Sequence, residues 1–376
     1  MKPPLTILCL AHLNWSHVWQ RPQQLMSRFA RHCRVIYVNP VDIVDTQAPH
    51  IRNHGIDHAI HLREAVFPTT LLDTPGNSYR ELWLRLLPEV LDEAGPNTIL
   101  WVLSPLANYL VEAALPHVKL VVYDCMDDLA SFRDGTSIMR AREAHLLELV
   151  DLVFTGGRAL YEARKDRHPR VHCFPSGVDL AHYQRVCDPV TLVPTDMDGI
   201  PRPRLGYFGV LDERIDWTLI SEIAHQRREW QWVFVGPTVK VRPAELPTGT
   251  NIHYLGQRSY GELPAYLKGF DIATMPFALN EATRSISPTK TPEYLAGGKP
   301  VISTSVPDVV TAYKNIICIA DGVDGWIDAL EELLSALPDH TQTQIERAQP
   351  HLTTTSWDSI VERMWSLMQE QIRTSH

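Results

Sequence analysis

The chain has 376 residues, of which 44% are apolar and 21% charged, a balance that suits folded cores and excludes a disordered or fibrous protein. At roughly 100 to 200 residues per domain the length predicts two or three domains, with two the simplest division. A formal charge of −9 argues against a nucleic-acid partner, because neutralising phosphates requires a basic excess; it leaves room for a local basic pocket.

Cys9, Cys33, Cys125, Cys173, Cys187 and Cys318 lack the close paired spacing of a zinc site or a redox dithiol and read as reduced thiols. The apolar run after Met1 is broken by His12 and Asn14, too soon for a signal peptide. No stretch approaches the roughly 20 apolar residues of a membrane span. The expectation is a soluble cytoplasmic protein, at most resting on the inner face of a membrane.

In chain order, Leu5 to Leu10 and Arg34 to Val38 read as buried strands flanking a helix from Arg21 to Arg31. A helix from Ser78 to Ala94 leads to strands at Thr98 to Leu103, Val118 to Tyr123 and Val150 to Phe154, with a helix from Ser137 to Leu149 before the last. Short apolar runs alternating with amphipathic segments predict a parallel sheet with helical crossovers. Four prolines between Asp188 and Arg204 mark a linker. A second series follows: strands at Arg204 to Gly209, Trp230 to Val235, Asn251 to Leu255, Asp271 to Met275 and Val301 to Thr304. Helices are expected at Trp217 to Arg227, Tyr260 to Gly269, Thr291 to Ala296, Trp326 to Leu337 and Trp357 to Ile372. The fold class is α/β, with two Rossmann-like domains.

Ligands of open parallel sheets sit beyond the carboxyl ends of strands. In the second half such an end carries Gly209 and Arg214, another leads to Lys240, and a third to Ser287-Pro288-Thr289-Lys290 with Glu293 one turn on. A small-residue turn opening a helix beside a lysine suits a phosphate, and Glu293 suits a ribose diol. The same residues also read as a helix cap with a solvated lysine.

In the first half, the loop after the first strand lacks the paired glycines of a dinucleotide fingerprint, which counts against NAD or FAD. Its His17, Trp19 and Arg21 suit gripping an acceptor, while Trp15 and Trp19 equally suit filling a gap between loop and helix. Asp124, Asp127 and Asp128 follow a strand, where a general base for an acceptor hydroxyl belongs. Helix capping by Asp127 or Asp128 is the alternative, and three close aspartates also suit Mg²⁺. Ser104 ends another strand.

Pro22-Gln-Gln-Leu, Phe174-Pro-Ser-Gly-Val-Asp179, Gly209-Val-Leu-Asp-Glu-Arg214, His253-Tyr-Leu-Gly256 and the segment Ser287 to Ala296 resemble retaining glycosyltransferases of family 4 (group 1) type, in a bacterial polysaccharide-biosynthesis branch. The resemblance spans both halves. It implies the GT-B fold, with two parallel-sheet domains facing across a cleft. The acceptor-side domain would be 1–190 plus a returning 357–376, and the donor domain 200–356.

It also implies a nucleoside-diphosphate sugar donor, a glycan or lipid-linked acceptor and no metal or other cofactor. Arg214 would meet the donor diphosphate, with Lys240 or Lys290 as the second cation, since Ile215 to Thr218 stand where the usual lysine falls. Glu293 matches the second of the family's two glutamates, and Ser285 stands at the first, with Glu281 four residues upstream. A non-hydrolysing nucleotide-sugar epimerase and a non-catalytic nucleotide-sugar-binding subunit share this plan.

Overall fold

The computed structural model describes residues 5–70, 78–129, 137–239, 241–284, 286–337 and 339–374. The chain forms two compact units, one of residues 1–174 and 358–376, the other of residues 175–357.

The first unit runs β1 (Thr6–Leu10), α1 (Arg21–Phe29), β2 (Arg34–Val44), β3 (His50–Asp57), β4 (Ile60–Pro68), α2 (Tyr79–Ala94), β5 (Thr98–Val102), α3 (Asn108–Ala114), β6 (Leu120–Cys125), α4 (Ser137–Leu149), β7 (Leu152–Thr155), α5 (Arg158–Glu162) and β8 (Val171–Cys173). Among the described residues its sheet has the order β3-β4-β2-β1-β5-β6-β7-β8, parallel except for the β3–β4 pair. Fully buried β1 and β5 are in register from Thr6 opposite Thr98 to Leu10 opposite Val102, as their unbroken apolar runs require. Ser78 opens α2 with a capping box: its hydroxyl accepts from the Glu81 amide, and Glu81 Oε2 accepts from the Ser78 amide at 2.8 Å.

The β3–β4 hairpin is absent from the sequence reading. β3 is an exposed edge of His, Arg and Asn without apolar alternation, and Arg63 and Glu64 interrupt β4. Those charges are paired, Arg63 with Glu93 at 2.6 Å and Glu64 with Arg52 at 2.7 Å, so a strand tolerates them.

The second unit runs α6 (Leu180–Gln184), β9 (Arg204–Phe208), α7 (Trp217–Gln226), β10 (Gln231–Val235), β11 (Ile252–Tyr254), α8 (Leu263–Gly269), β12 (Ile272–Met275), α9 (Glu281–Arg284), α10 (Lys290–Ala296), β13 (Val301–Ser303), α11 (Pro307–Tyr313), β14 (Cys318–Ile319), α12 (Val323–Ser335) and α13 (Asp339–Thr354). Its described strands pair in the order β11-β10-β9-β12-β13-β14, all parallel. The last helix, α14 (Trp357–Thr374), starts at the edge of this unit and belongs to the first from Asp358 onward. Sequence reading passed over α13, whose polar residues and internal Pro350 disguise a helix.

The proline-rich stretch 188–204 lies inside the second unit rather than between the two. Met197 and Ile200 are buried there, and their carbonyls accept from the Arg204 guanidinium, which fastens the stretch to β9.

The carboxyl ends of β9 and β10 touch through glycines. Gly236 has φ +152°, and a Cβ there would lie 1.8 Å from the Gly209 carbonyl oxygen. Gly236→Ala combines backbone strain with overlap, and a loss of about 3 kcal/mol in unfolding free energy is expected by chemical denaturation.

Candidate active site

β9 ends at Phe208, and Gly209 turns the chain with φ +145°. A side chain there would meet Tyr207 Oη at 2.9 Å and Lys290 Cε at 3.0 Å, so glycine is what lets the lysine stem lie across the turn. Three residues on, the Asp212 carboxylate grips Arg214 through Nε at 3.0 Å and Nη2 at 2.7 Å, and also accepts from the Arg214 amide at 3.0 Å. The Arg214 carbonyl accepts from the Ala278 amide at 2.8 Å, which ties this loop to the one after β12. The guanidinium is therefore held in place while about a quarter of its side chain stays open to solvent.

The second component stands on α10. Lys290 Nζ donates to Thr289 Oγ1 at 2.9 Å, lies 3.4 Å from Glu293 Oε2 and sits 5.5 Å from the centre of the Phe208 ring. Glu293 is buried, and burial raises its carboxyl pKa above the usual carboxylate value despite the opposing pull of Lys290. Tyr183, from α6, is fully buried beside it. Neither Glu293 Oε2 nor Tyr183 Oη has a hydrogen bond of normal geometry. Lys290, Tyr183 and Thr289 all favour the ionised form of Glu293 without a well-aligned hydrogen bond to Oε2, and a bound hydroxyl would supply one. Tyr294, next in sequence, anchors α10 to β9 by accepting from the Phe208 amide at 3.0 Å.

Of the remaining donor-side candidates, Ser287, Pro288 and Thr289 form the half-buried turn before α10. The Ser287 carbonyl accepts from Ser176 Oγ at 2.7 Å. Thr289 makes no side-chain cap, and α10 has only seven residues, so Lys290 rather than the helix end supplies the main positive charge. Lys240 and Ser285 lie outside the described residues. Glu281 is exposed at the start of α9. Sequence reading missed Asp212, signalled by its spacing of two from Arg214, and Tyr183, which only the tertiary fold brings to Glu293.

The first-unit candidates separate. Arg21 and Asp124 are both buried and paired, Nη2 to Oδ1 at 2.8 Å and Nε to both carboxylate oxygens, while Arg21 Nη1 donates to the Phe174 carbonyl at 2.8 Å. The expected acceptor-gripping arginine and the expected base thus neutralise each other across α1, β6 and the end of β8. Asp127 is half-buried, its carbonyl accepting from Cys125 Sγ, and Asp128 lies 3.8 Å from Arg164. Among the described residues no three His, Cys, Asp or Glu side chains cluster as metal ligands. His17 is exposed; Trp19 packs 5.7 Å from Trp15 and 4.9 Å from His58, and Trp15 Nε1 donates to Asp57. These rings dock their loop on the β3–β4 turn. Ser104 is buried after β5 and accepts from the Leu106 amide.

Residues 202–336, which carry Gly209, Arg214, Lys290 and Glu293, match the family model described as glycosyl transferases group 1. Over 293 residues, 72% of each chain, the sequence is 25% identical to a putative teichuronic acid biosynthesis glycosyltransferase of Bacillus subtilis (strain 168). Among solved structures, sucrose-phosphate synthase from Thermosynechococcus elongatus superposes with a TM-score of 0.71 at 15% identity, over 98% of this chain and 100% of that one. Anabaena HepE in complex with UDP and glucose gives 0.70 at 13% identity, over 97% and 99%.

The chain is a GT-B glycosyltransferase.

No described helix of the glycosyltransferase is long and apolar enough to cross a membrane. Its Arg21–Asp124 pair has a measurable signature: Asp124→Asn leaves a buried guanidinium uncompensated and should cost about 3 to 5 kcal/mol of stability in urea unfolding. A variant that keeps its stability and loses only turnover would instead return Asp124 to the role of base.

Proposed function

We propose that the glycosyltransferase takes a nucleoside-diphosphate sugar on its second unit and passes the sugar to a hydroxyl of a glycan or lipid-linked acceptor, with retention at the anomeric carbon. The observation that carries the donor reading is the buried Glu293 Oε2, which has Lys290 at 3.4 Å but no well-aligned hydrogen bond. A ribose diol brings two hydroxyl donors, which can align on that carboxylate better than its present neighbours do. Arg214 and Lys290 meet the diphosphate, and their fixed positive charge stabilises it as it leaves, the task that a metal performs in other phosphate chemistry. No cofactor enters this scheme.

The match of residues 202–336 to group 1 glycosyltransferases supports placing the donor here. The UDP and glucose of the HepE complex make UDP the first nucleotide to test. The similarity to a teichuronic acid biosynthesis enzyme supports a role in cell-surface polysaccharide assembly, which we place in the cytoplasm, with peripheral contact at the membrane's inner face.

The direction of the Glu293 shift sets two outcomes. Hydroxyl donors favour the ionised carboxylate, so nucleotide affinity should fall as pH drops through the raised pKa; the surrounding Tyr183, Tyr207 and Tyr294 titrate far higher. In Glu293→Gln, calorimetry should show about tenfold weaker binding or worse, with the pH dependence gone. Unchanged binding in the variant would sink the donor site.

Stability moves the other way. A carboxyl with a raised folded pKa holds its proton more tightly folded than unfolded, so its contribution is lost as pH rises from the unfolded value through the folded one. Glu293→Gln should therefore match or exceed the parent Tm at about pH 8 and lose that advantage toward about pH 5, by scanning fluorimetry.

A further inference from the structure

A separate cavity of about 320 Å³ opens in the first unit at the carboxyl ends of β1 and β5, where parallel sheets place ligands. Its volume falls at the lower end of ligand pockets, roughly 300 to 1,000 Å³. His12, Asn39 and Ser104 contribute polar groups; Tyr79 and Trp83 of α2 and Tyr109 of α3 contribute aromatic surface. His12 Nδ1 is buried without a hydrogen-bond partner. Burial pushes the His12 pKa down to about 4, so the ring is neutral at ordinary pH and free to exchange a hydrogen bond with a hydroxyl.

The charge of the lining is one-sided. In a chain of net charge −9, no carboxylate lines the cavity among the described residues, and its charged side chain is Arg142 of α4. Arg142 is half-buried and makes no ion pair among the described residues. The Arg80 guanidinium lies 5.6 Å from the centre of the Tyr109 ring, and both arginines act on the Tyr109 hydroxyl electrostatically. Aromatic faces for a sugar ring, a partnerless imidazole for a hydroxyl and a partly desolvated guanidinium at one side describe a ligand with all three complements.

We propose that this cavity is the acceptor site and that it selects a saccharide carrying a negative group, carboxylate or phosphate, which pairs with Arg142. This rests on the glycosyl-transfer reading but not on the donor residues. Arg142 would set specificity, while His12 would bind a hydroxyl common to charged and neutral sugars.

The test is calorimetry on the full chain at low salt with methyl β-D-glucuronide, glucose 1-phosphate and methyl β-D-glucoside, with UDP titrated separately. One or both anionic sugars should bind about tenfold more tightly than the neutral glucoside. Arg142→Gln should abolish that preference while leaving the neutral sugar and UDP unchanged, and His12→Ala should weaken all three sugars alike. A stronger glucuronide marks a carboxylate acceptor and a stronger glucose 1-phosphate a phosphorylated one. Equal binding of the neutral sugar, no binding of any sugar to millimolar concentration, or a preference that survives Arg142→Gln overturns the proposal. Sugar binding without UDP binding would defeat the donor reading and leave this one standing.

Discussion

The second unit is organised around the burial of one carboxylate. Glu293 is buried with Lys290 a helical turn earlier as its ion-pair partner, and the lysine stem crosses Gly209, where a side chain would press against it. Gly209 in turn holds its conformation against Gly236, so the ends of adjacent strands are committed to the same local arrangement. Tyr294 fixes the other side by binding the Phe208 amide. Desolvation outweighs the attraction of Lys290 at Glu293 and raises its carboxyl pKa, while Oε2 has no well-aligned hydrogen bond.

The first unit relies on a different solution. Its central charges, Arg21 and Asp124, satisfy one another and the Phe174 carbonyl, which joins the start of a helix to the ends of two strands. A buried pair of this kind specifies geometry more than it adds stability. Beyond the ends of β1 and β5, His12 and Arg142 are not so neutralised.

The sequence displayed most of the architecture because buried parallel strands are written as uninterrupted apolar runs: β1, β5, β9 and β10 could hardly read otherwise. It concealed the β3–β4 hairpin and α13, where charges are paired in space or a proline interrupts the pattern, since neither compensation has a local signature. Turn chemistry and resemblance together singled out Gly209, Arg214, Lys290 and Glu293, and the fold brings Gly209, Lys290 and Glu293 side by side. Asp124 illustrates a general limit: position near a strand end is visible in sequence, but the partner that occupies a carboxylate, here 103 residues away, is not. The same limitation hid Tyr183, 110 positions before Glu293 in the chain.

The return of the chain at Asp358 has a consequence for biosynthesis. The second unit begins and ends at neighbouring points: the Val178 amide donates to the Thr355 carbonyl at 3.1 Å, and the Trp357 amide donates to Val178 at 3.2 Å. It is an uninterrupted insertion that can close on itself as soon as residue 357 has left the ribosome. The first unit, although translated earlier, must wait for the final helix, whose Trp365 packs on Phe29 and stacks on His32 at 5.3 Å. The order of completion is therefore the reverse of the order of synthesis, and until α14 emerges Phe29 of α1 lacks the Trp365 ring that packs 6.2 Å from it.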